Sequence, residues 1–386
     1  MKKVLAILAA ASLAVVASAQ GHNHGDGGHD AQIKSLYEKV TNLEKKSDAF
    51  NVFFNYAYSY QLSDATGDWR SSFKNKQFRL EVKGTFGDHL SYRLRHRMNR
   101  NNTAKGEDNF AKATDIMMLG WKFNDKWAVN IGKMCQIWGG FEFDENPMYI
   151  YQYSDFIDYM DNFMAGAMVS WHPVPSQELA FMVSNCYNGS FSEEFPYNQL
   201  HDGTYLKAAK HPLTYILNWN GGLFDGLLTT RWSVGRQVQA EGYYSDMVVL
   251  GQQLNLPKFQ WYVDYMAEWD GVDRLTIASG DLGKLASDVR YHSFITKANW
   301  QFAPKWNLMG KAMYELASIH SVEAFKNYRT SIGWVGSLEY YPLKDQDLRF
   351  FVAYVGRQHK YSAESMLENI NTNRIELGFM YRIKAY

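Results

Sequence analysis

The 386-residue chain carries 40 basic and 40 acidic side chains, and its mean hydropathy is −0.39 although 16 % of its residues are aromatic. Balanced charge excludes a polycation built for nucleic acid, and two cysteines are too few for a disulfide-stapled scaffold. No stretch after the first twenty residues strings together about 18 uncharged apolar residues, so helical membrane spans are excluded as well.

Residues 1–19 place Lys2 and Lys3 before an apolar run from Val4 to Val16 and end in Ala17-Ser18-Ala19. A basic start, a short apolar centre and small residues predict a secretory signal peptide cut before Gln20. Losing it removes two lysines and no acid, which leaves the exported chain near −2. Residues 20–30 hold His22, His24 and His29 among glycines. Glycines fix no ligand geometry, so a flexible tail is expected there rather than a metal site. In residues 31–48, Ile33, Leu36, Val40 and Leu43 are spaced 3, 4, 3 with charged flanks. That spacing predicts a short periplasmic helix, either a two-heptad coiled coil between subunits or a helix packed on its own domain.

From residue 49 to 386 the period changes to two. "FNVFFNYAYSY" and "QFRLEVKGTF" alternate apolar with polar, and sixteen such runs follow one another. They lie near 49–60, 75–86, 89–99, 112–124, 127–136, 162–172, 177–187, 212–220, 225–236, 243–255, 258–269, 290–302, 306–318, 327–341, 347–358 and 372–386. Most span about 9–13 residues, the length of a tilted strand crossing a bilayer, where soluble strands run nearer five or six. Connectors after even-numbered runs are tight ("FGDH", "NDK", "APK"), whereas most after odd-numbered runs are long: 61–74, 100–111, 137–161, 188–211, 270–289 and 359–371. Trp121, Phe123, Trp127, Trp171, Trp300, Phe302 and Trp306 flank the tight turns, as ring systems do at headgroup depth. The predicted fold is all-β, a 16-stranded antiparallel transmembrane β-barrel in the outer membrane, with its short turns periplasmic.

Two segments carry the functional expectation. "LSYRLRHR" repeats arginine at Arg93, Arg95 and Arg97, which share one face of an extended strand. Arg79 and Lys83 of the preceding strand have the same parity, so a hairpin through "FGDH" builds one basic patch, relieved in part by Glu81. Leu94 and Met98 then face lipid, with His96 an exception among them. The longest connector holds Glu142, Asp144, Glu145, Asp155, Asp158 and Asp161 among seven Phe and Tyr rings. Folded inward it would bury those rings, narrow the pore and set carboxylates opposite the arginines. Cys135 and Cys186 have opposite strand parities, and no bridge between them is expected. The last strand ends on Tyr386, whose parity is that of Arg382 and Lys384, so the final residues are expected to leave register.

In "FRLEVKGTFGDHLSYRLRHR" and "VNIGKMCQIWGGFEF" the sequence resembles the phosphate-selective porin O and P family, over roughly residues 49–386. The resemblance implies 16-stranded homotrimers with the third loop folded inward, some of them binding phosphate through basic pore residues. A passive diffusion channel for small hydrophilic solutes, favouring anions such as phosphate, is therefore expected, with no catalytic residues, cofactor, metal or nucleic-acid partner. The acidic loop departs from a purely cationic pore and leaves a general, weakly selective porin as the alternative. A structural or adhesive barrel is the remaining one; no histidine stands in a spacing that would make the barrel an enzyme.

Overall fold

The computed structural model describes residues 49–386 apart from 66, 104–107 and 197. The expected leader, His-bearing tail and short helix, all before residue 49, lie outside these residues. Sixteen strands follow one another: β1 (Asn51–Ala65), β2 (Asp68–Phe86), β3 (Leu90–Arg97), β4 (Thr114–Lys122), β5 (Trp127–Cys135) and β6 (Phe163–Trp171). Then come β7 (Gln177–Asn185), β8 (Leu213–Leu223), β9 (Leu228–Ala240), β10 (Tyr243–Leu256) and β11 (Phe259–Val272). The wall is completed by β12 (Ser287–Ala303), β13 (Trp306–Ile319), β14 (Arg329–Tyr340), β15 (Asp347–Tyr361) and β16 (Ile370–Lys384). Each pairs antiparallel with its sequence neighbours, and β1 closes the ring on β16 from Phe53↔Lys384 to Ala65↔Thr372.

Strand β13 shows why these segments are strands. Asn307, Met309, Lys311, Met313 and Glu315 point inward and are buried, while Leu308 and Tyr314 face outward, 46 % and 44 % exposed. The same outward set continues around the wall in Phe181, Leu217, Val234, Trp261, Val352 and Leu377. Each such side chain gains about 1.5–3 kcal/mol on leaving water, which no soluble surface of this size could forgo. The surface is stable where the surrounding solvent is itself apolar. At the short turns the exposed rings form pairs, Trp127 with Trp171 at 5.9 Å and Trp306 with Tyr340 at 4.8 Å between centroids.

One predicted loop is not a loop. Residues 61–74 continue the β1–β2 hairpin, which stays in register to Ala65↔Asp68 and turns at Gly67 with φ 103°. Above the membrane a strand no longer needs apolar outer residues, so its sequence admits Asp64, Gly67, Asp68, Ser71 and Ser72 and resembles a loop. At the other end the chain leaves the ladder after Lys384, and the Tyr386 carbonyl accepts the Val52 amide at 3.0 Å.

The barrel is not an empty tube. The segment 136–162 between β5 and β6 folds into it, carrying two single-turn helices, α1 (Phe141–Asp144) and α2 (Asp155–Asp158). Its Ile137, Trp138, Phe141, Phe143, Met148, Tyr149, Tyr151, Phe156 and Ile157 form the core together with inward methionines of the wall. Met168, Met182, Met247, Met266, Met309, Met313 and Met380 are each at most 2 % exposed. Unbranched thioethers fit an irregular loop against a regular wall. The interior is thus apolar rather than polar on the side where the loop lies.

Candidate functional site

The three arginines of β3 lie on one inward face, opposite Lys83, Glu81 and Arg79 of β2 in the pairs Arg93↔Lys83, Arg95↔Glu81 and Arg97↔Arg79. Arg93 and Arg95 are each 2 % exposed, and Arg97 and Lys83 are half-buried. Buried guanidiniums in a row require anionic partners. One is Glu81, which accepts from Arg93 Nε at 3.0 Å and from Arg382 of β16 at 3.4 Å. Another is Asp115 of β4, which sequence reading missed. Its carboxylate accepts Arg95 Nε at 3.1 Å and Arg97 Nε at 2.6 Å, with Arg79 Nε 3.7 Å away.

Asp115 reaches the interior through a β-bulge. Arg95 pairs with Ile116 and His96 with Thr114, so Asp115 is the extra residue between them. The outward set Met117, Leu119 and Trp121, continued back by twos, would have put Asp115 on the apolar outer face. That cost was the signal in the sequence that alternation breaks there. Lys76 enters the same way, as the extra residue opposite Ala57 and Tyr58, and its ammonium meets Glu376 at 2.7 Å. On the outer side His96 bonds Thr114 Oγ1 at 3.1 Å, which satisfies the imidazole that the alternation placed toward lipid.

The loop carboxylates do not face the arginine row; they clasp the opposite wall. Glu142 pairs with Lys311, Glu145 with Lys297, Asp144 with Arg231 at 2.8 Å, and Asp155 with Arg357 and with Arg329 at 2.7 Å. The wall answers with its own carboxylates at the starts of the loop helices. Asp264 accepts the Phe141 and Glu142 amides at 2.8 Å, and Glu315 accepts those of Asp155 and Phe156 at 2.9 and 3.0 Å. Amides left free at a helix start are natural partners for an anion. Two glycines let the chain turn inward: Gly139 and Gly140 have φ 72° and 77°. A Cβ on Gly140 would also stand 3.0 Å from Met266 Cε and 3.1 Å from Val249 Cγ1.

Of the six loop acids, Asp158 and Asp161 remain exposed, bonded to Gln152 at 3.3 Å and Asn188 at 2.9 Å. Desolvation, then the field of Glu142, holds the Asp158 carboxyl above the usual range, against the pull of Lys311 and Arg374. Tyr153 stands between the two charge groups. Burial pushes its hydroxyl well up, Arg79 opposes this, and Glu142 and Glu145 add to it. Arg95 and Arg97 lie over the Phe163 ring at 5.1 and 5.8 Å, which orients the forks as the carboxylate does. Cys135 and Cys186 are buried and form no disulfide.

A closed sixteen-stranded antiparallel barrel, apolar outside, charged inside and narrowed by an inward loop, defines the class of outer-membrane porins. The chain belongs to the phosphate-selective porin O and P family, which matches residues 50–383. Membership places it in the outer membrane, among channel proteins. Similar solved structures include the outer-membrane channel DcaP of Acinetobacter baumannii, at TM-score 0.58 and 10 % identity over 88 % of this chain and 99 % of that one. OmpT of Vibrio cholerae follows at TM-score 0.55 and 11 % identity, again over 88 % and 99 %. An anion-selective porin from Comamonas acidovorans aligns at TM-score 0.53 and 10 % identity, over 87 % and 99 %. At such identities the likeness is one of fold. No curated protein matches the chain.

Proposed function

We propose that the protein is a passive channel for small hydrophilic solutes that favours anions, phosphate among them, and that the arginine cluster on β2 and β3 sets the preference. The observation that carries this reading is the charge count around Asp115. Among the described residues Arg79, Arg95 and Arg97 converge on that carboxylate, three formal positive charges against one negative. Arg79 Nη1 is buried without a hydrogen-bond partner among the described residues, a donor held ready for an oxyanion. The relative named anion-selective shares the fold, and the family name carries the phosphate reading.

Planar-bilayer recording tests it. A wild-type reversal potential of anion sign is expected under a salt gradient, moving toward cation preference in Arg93→Ala/Arg95→Ala/Arg97→Ala, with phosphate blocking chloride current. A cation-selective wild type, or a triple variant with no shift, removes the row from the mechanism and leaves a general, weakly selective porin.

The same reading includes export through a leader cleaved before Gln20 and assembly as a homotrimer. Five consecutive strands, β3 to β7, have only eight or nine residues each. They sit at or below the length that spans a bilayer core, which suits a wall facing protein rather than lipid. One OmpT structure is described as a trimer form.

A further inference from the structure

We propose that solutes reach the arginine cluster along one side of the extracellular mouth only, the side of β1, β2 and β16, and that Lys74 recruits anions there. The proposal rests on the anion reading above and names the residue that serves it from outside.

The mouth is unevenly covered. Loops 186–212 and 273–286 fold onto one another: Leu200 bridges Leu285, and the His201 amide donates to the Leu285 carbonyl at 2.9 Å. Beneath them Tyr187, Phe195, Leu200, Leu206, Ala240 and Val272 form an apolar cluster of their own. The inward residues of the wall below are dry. Thr214, Gln237, Ser245 and Asp270 lie side by side across β8 to β11, and none is more than 2 % exposed.

Across the barrel the inward residues at the loop end are wet. Arg374 and Thr372 of β16 are half-buried, and Lys74 of β2 is exposed. Lys74 pairs with Ser59, whose inward hydroxyl bonds Glu376 at 3.3 Å, so the ammonium stands on the lumenal side of the hairpin. Below it on the same strand come Lys76 and Arg79, each step about 7–10 Å down the wall. The roof therefore closes the half where the inward acids Glu268 and Asp270 are already engaged by Arg274, whose Nε donates to Glu268 at 2.6 Å and whose amide donates to Asp270 at 3.0 Å. Among the described residues it does not extend over the half where a basic row descends from Lys74 to Asp115. A charge beside a low-dielectric wall raises the local concentration of counter-ions, and salt screens it within about 10 Å at 0.1 M.

The test compares Lys74→Glu with Lys284→Glu, an equally exposed lysine on the roof loop, as oriented single channels in KCl. Lys74→Glu is expected to cut anion current arriving from the loop side by about two- to four-fold at 0.1 M, bending the current–voltage curve, with the bend gone at 1 M. Lys284→Glu is expected to leave the curve as in wild type. Equal effects of the two variants, no effect of Lys74→Glu, or a bend that survives 1 M salt would each overturn the one-sided route. Failure of the anion reading shows separately, as a wild-type reversal potential of cation sign, whichever way the two variants compare.

Discussion

Arg97 Nε donates to Asp115 Oδ1 at 2.6 Å, and through that bond a bulge in β4 fixes the guanidinium at the upper end of the β3 row. The acid both orients and tempers the cluster. Asp115→Asn should keep an acceptor and release one positive charge, shifting the reversal potential further toward anions. Asp115→Ala should instead strand three guanidiniums and cost about 3–5 kcal/mol, read as a lower thermal transition of the detergent-solubilised barrel. An Asn variant with wild-type selectivity would show that Asp115 only holds the wall together.

The clasp between loop and wall predicts a change in conductance. Lys311→Met removes the partner of Glu142 while keeping the apolar stem. The carboxylate keeps the Ser154 amide and hydroxyl as donors but loses its counter-charge, which favours a loop that leans away from β13, and single-channel current should become larger or noisier. Quiet, wild-type steps would mean that the amide bonds to Asp264 and Glu315 hold the loop unaided.

Acid should sharpen anion preference. Asp158 reaches water and its carboxyl is held above the ordinary range, so it loses its charge earlier than a free aspartate as pH falls. Because the charged form is the disfavoured one in the folded protein, this protonation relieves a destabilisation rather than adding one. The reversal potential of wild type should move toward anions on acidification, and Asp158→Asn should lose most of that movement. An unchanged pH response in the variant assigns the effect elsewhere.

Burial pushes the Cys186 thiol up to about 12. At pH 8 only about one thiol in ten thousand is then thiolate, so maleimide should label Cys186 in the folded barrel very slowly and in denatured protein at once. Rapid labelling of the native protein would show that the loop end above β7 opens.

Most of the wall was legible in the sequence because the bilayer enforces it: each strand must alternate, and the turns on one side close within a few residues. The runs predicted at 306–318 and 177–187 lie close to Trp306–Ile319 and Gln177–Asn185. Legibility failed where that pressure lifts, at the hairpin tip of 61–74, which stands in water. It failed again inside. Which basic residue meets which loop acid depends on the side toward which a 27-residue segment leans, and no local pattern encodes that. Glu142 and Lys311 are 169 positions apart. Asp115 and Lys76 escaped for a different reason, since a bulge moves a side chain to the face that strict alternation denies it.

The methionines that cushion the inward loop have a chemical consequence. Thioethers are among the side chains most readily oxidised, and a sulfoxide is polar, rigid at sulfur and larger. Met266 packs beside Gly140 and is fully buried, so one added oxygen would set a polar group in a closely packed apolar site. Peroxide able to reach these sulfurs should loosen the loop and alter gating, and methionine sulfoxide reductase should reverse it; a channel indifferent to sulfoxide content at Met266 would refute this. A bacterium carrying this barrel would thus present, at its outermost boundary, a solute gate whose setting answers to oxidants.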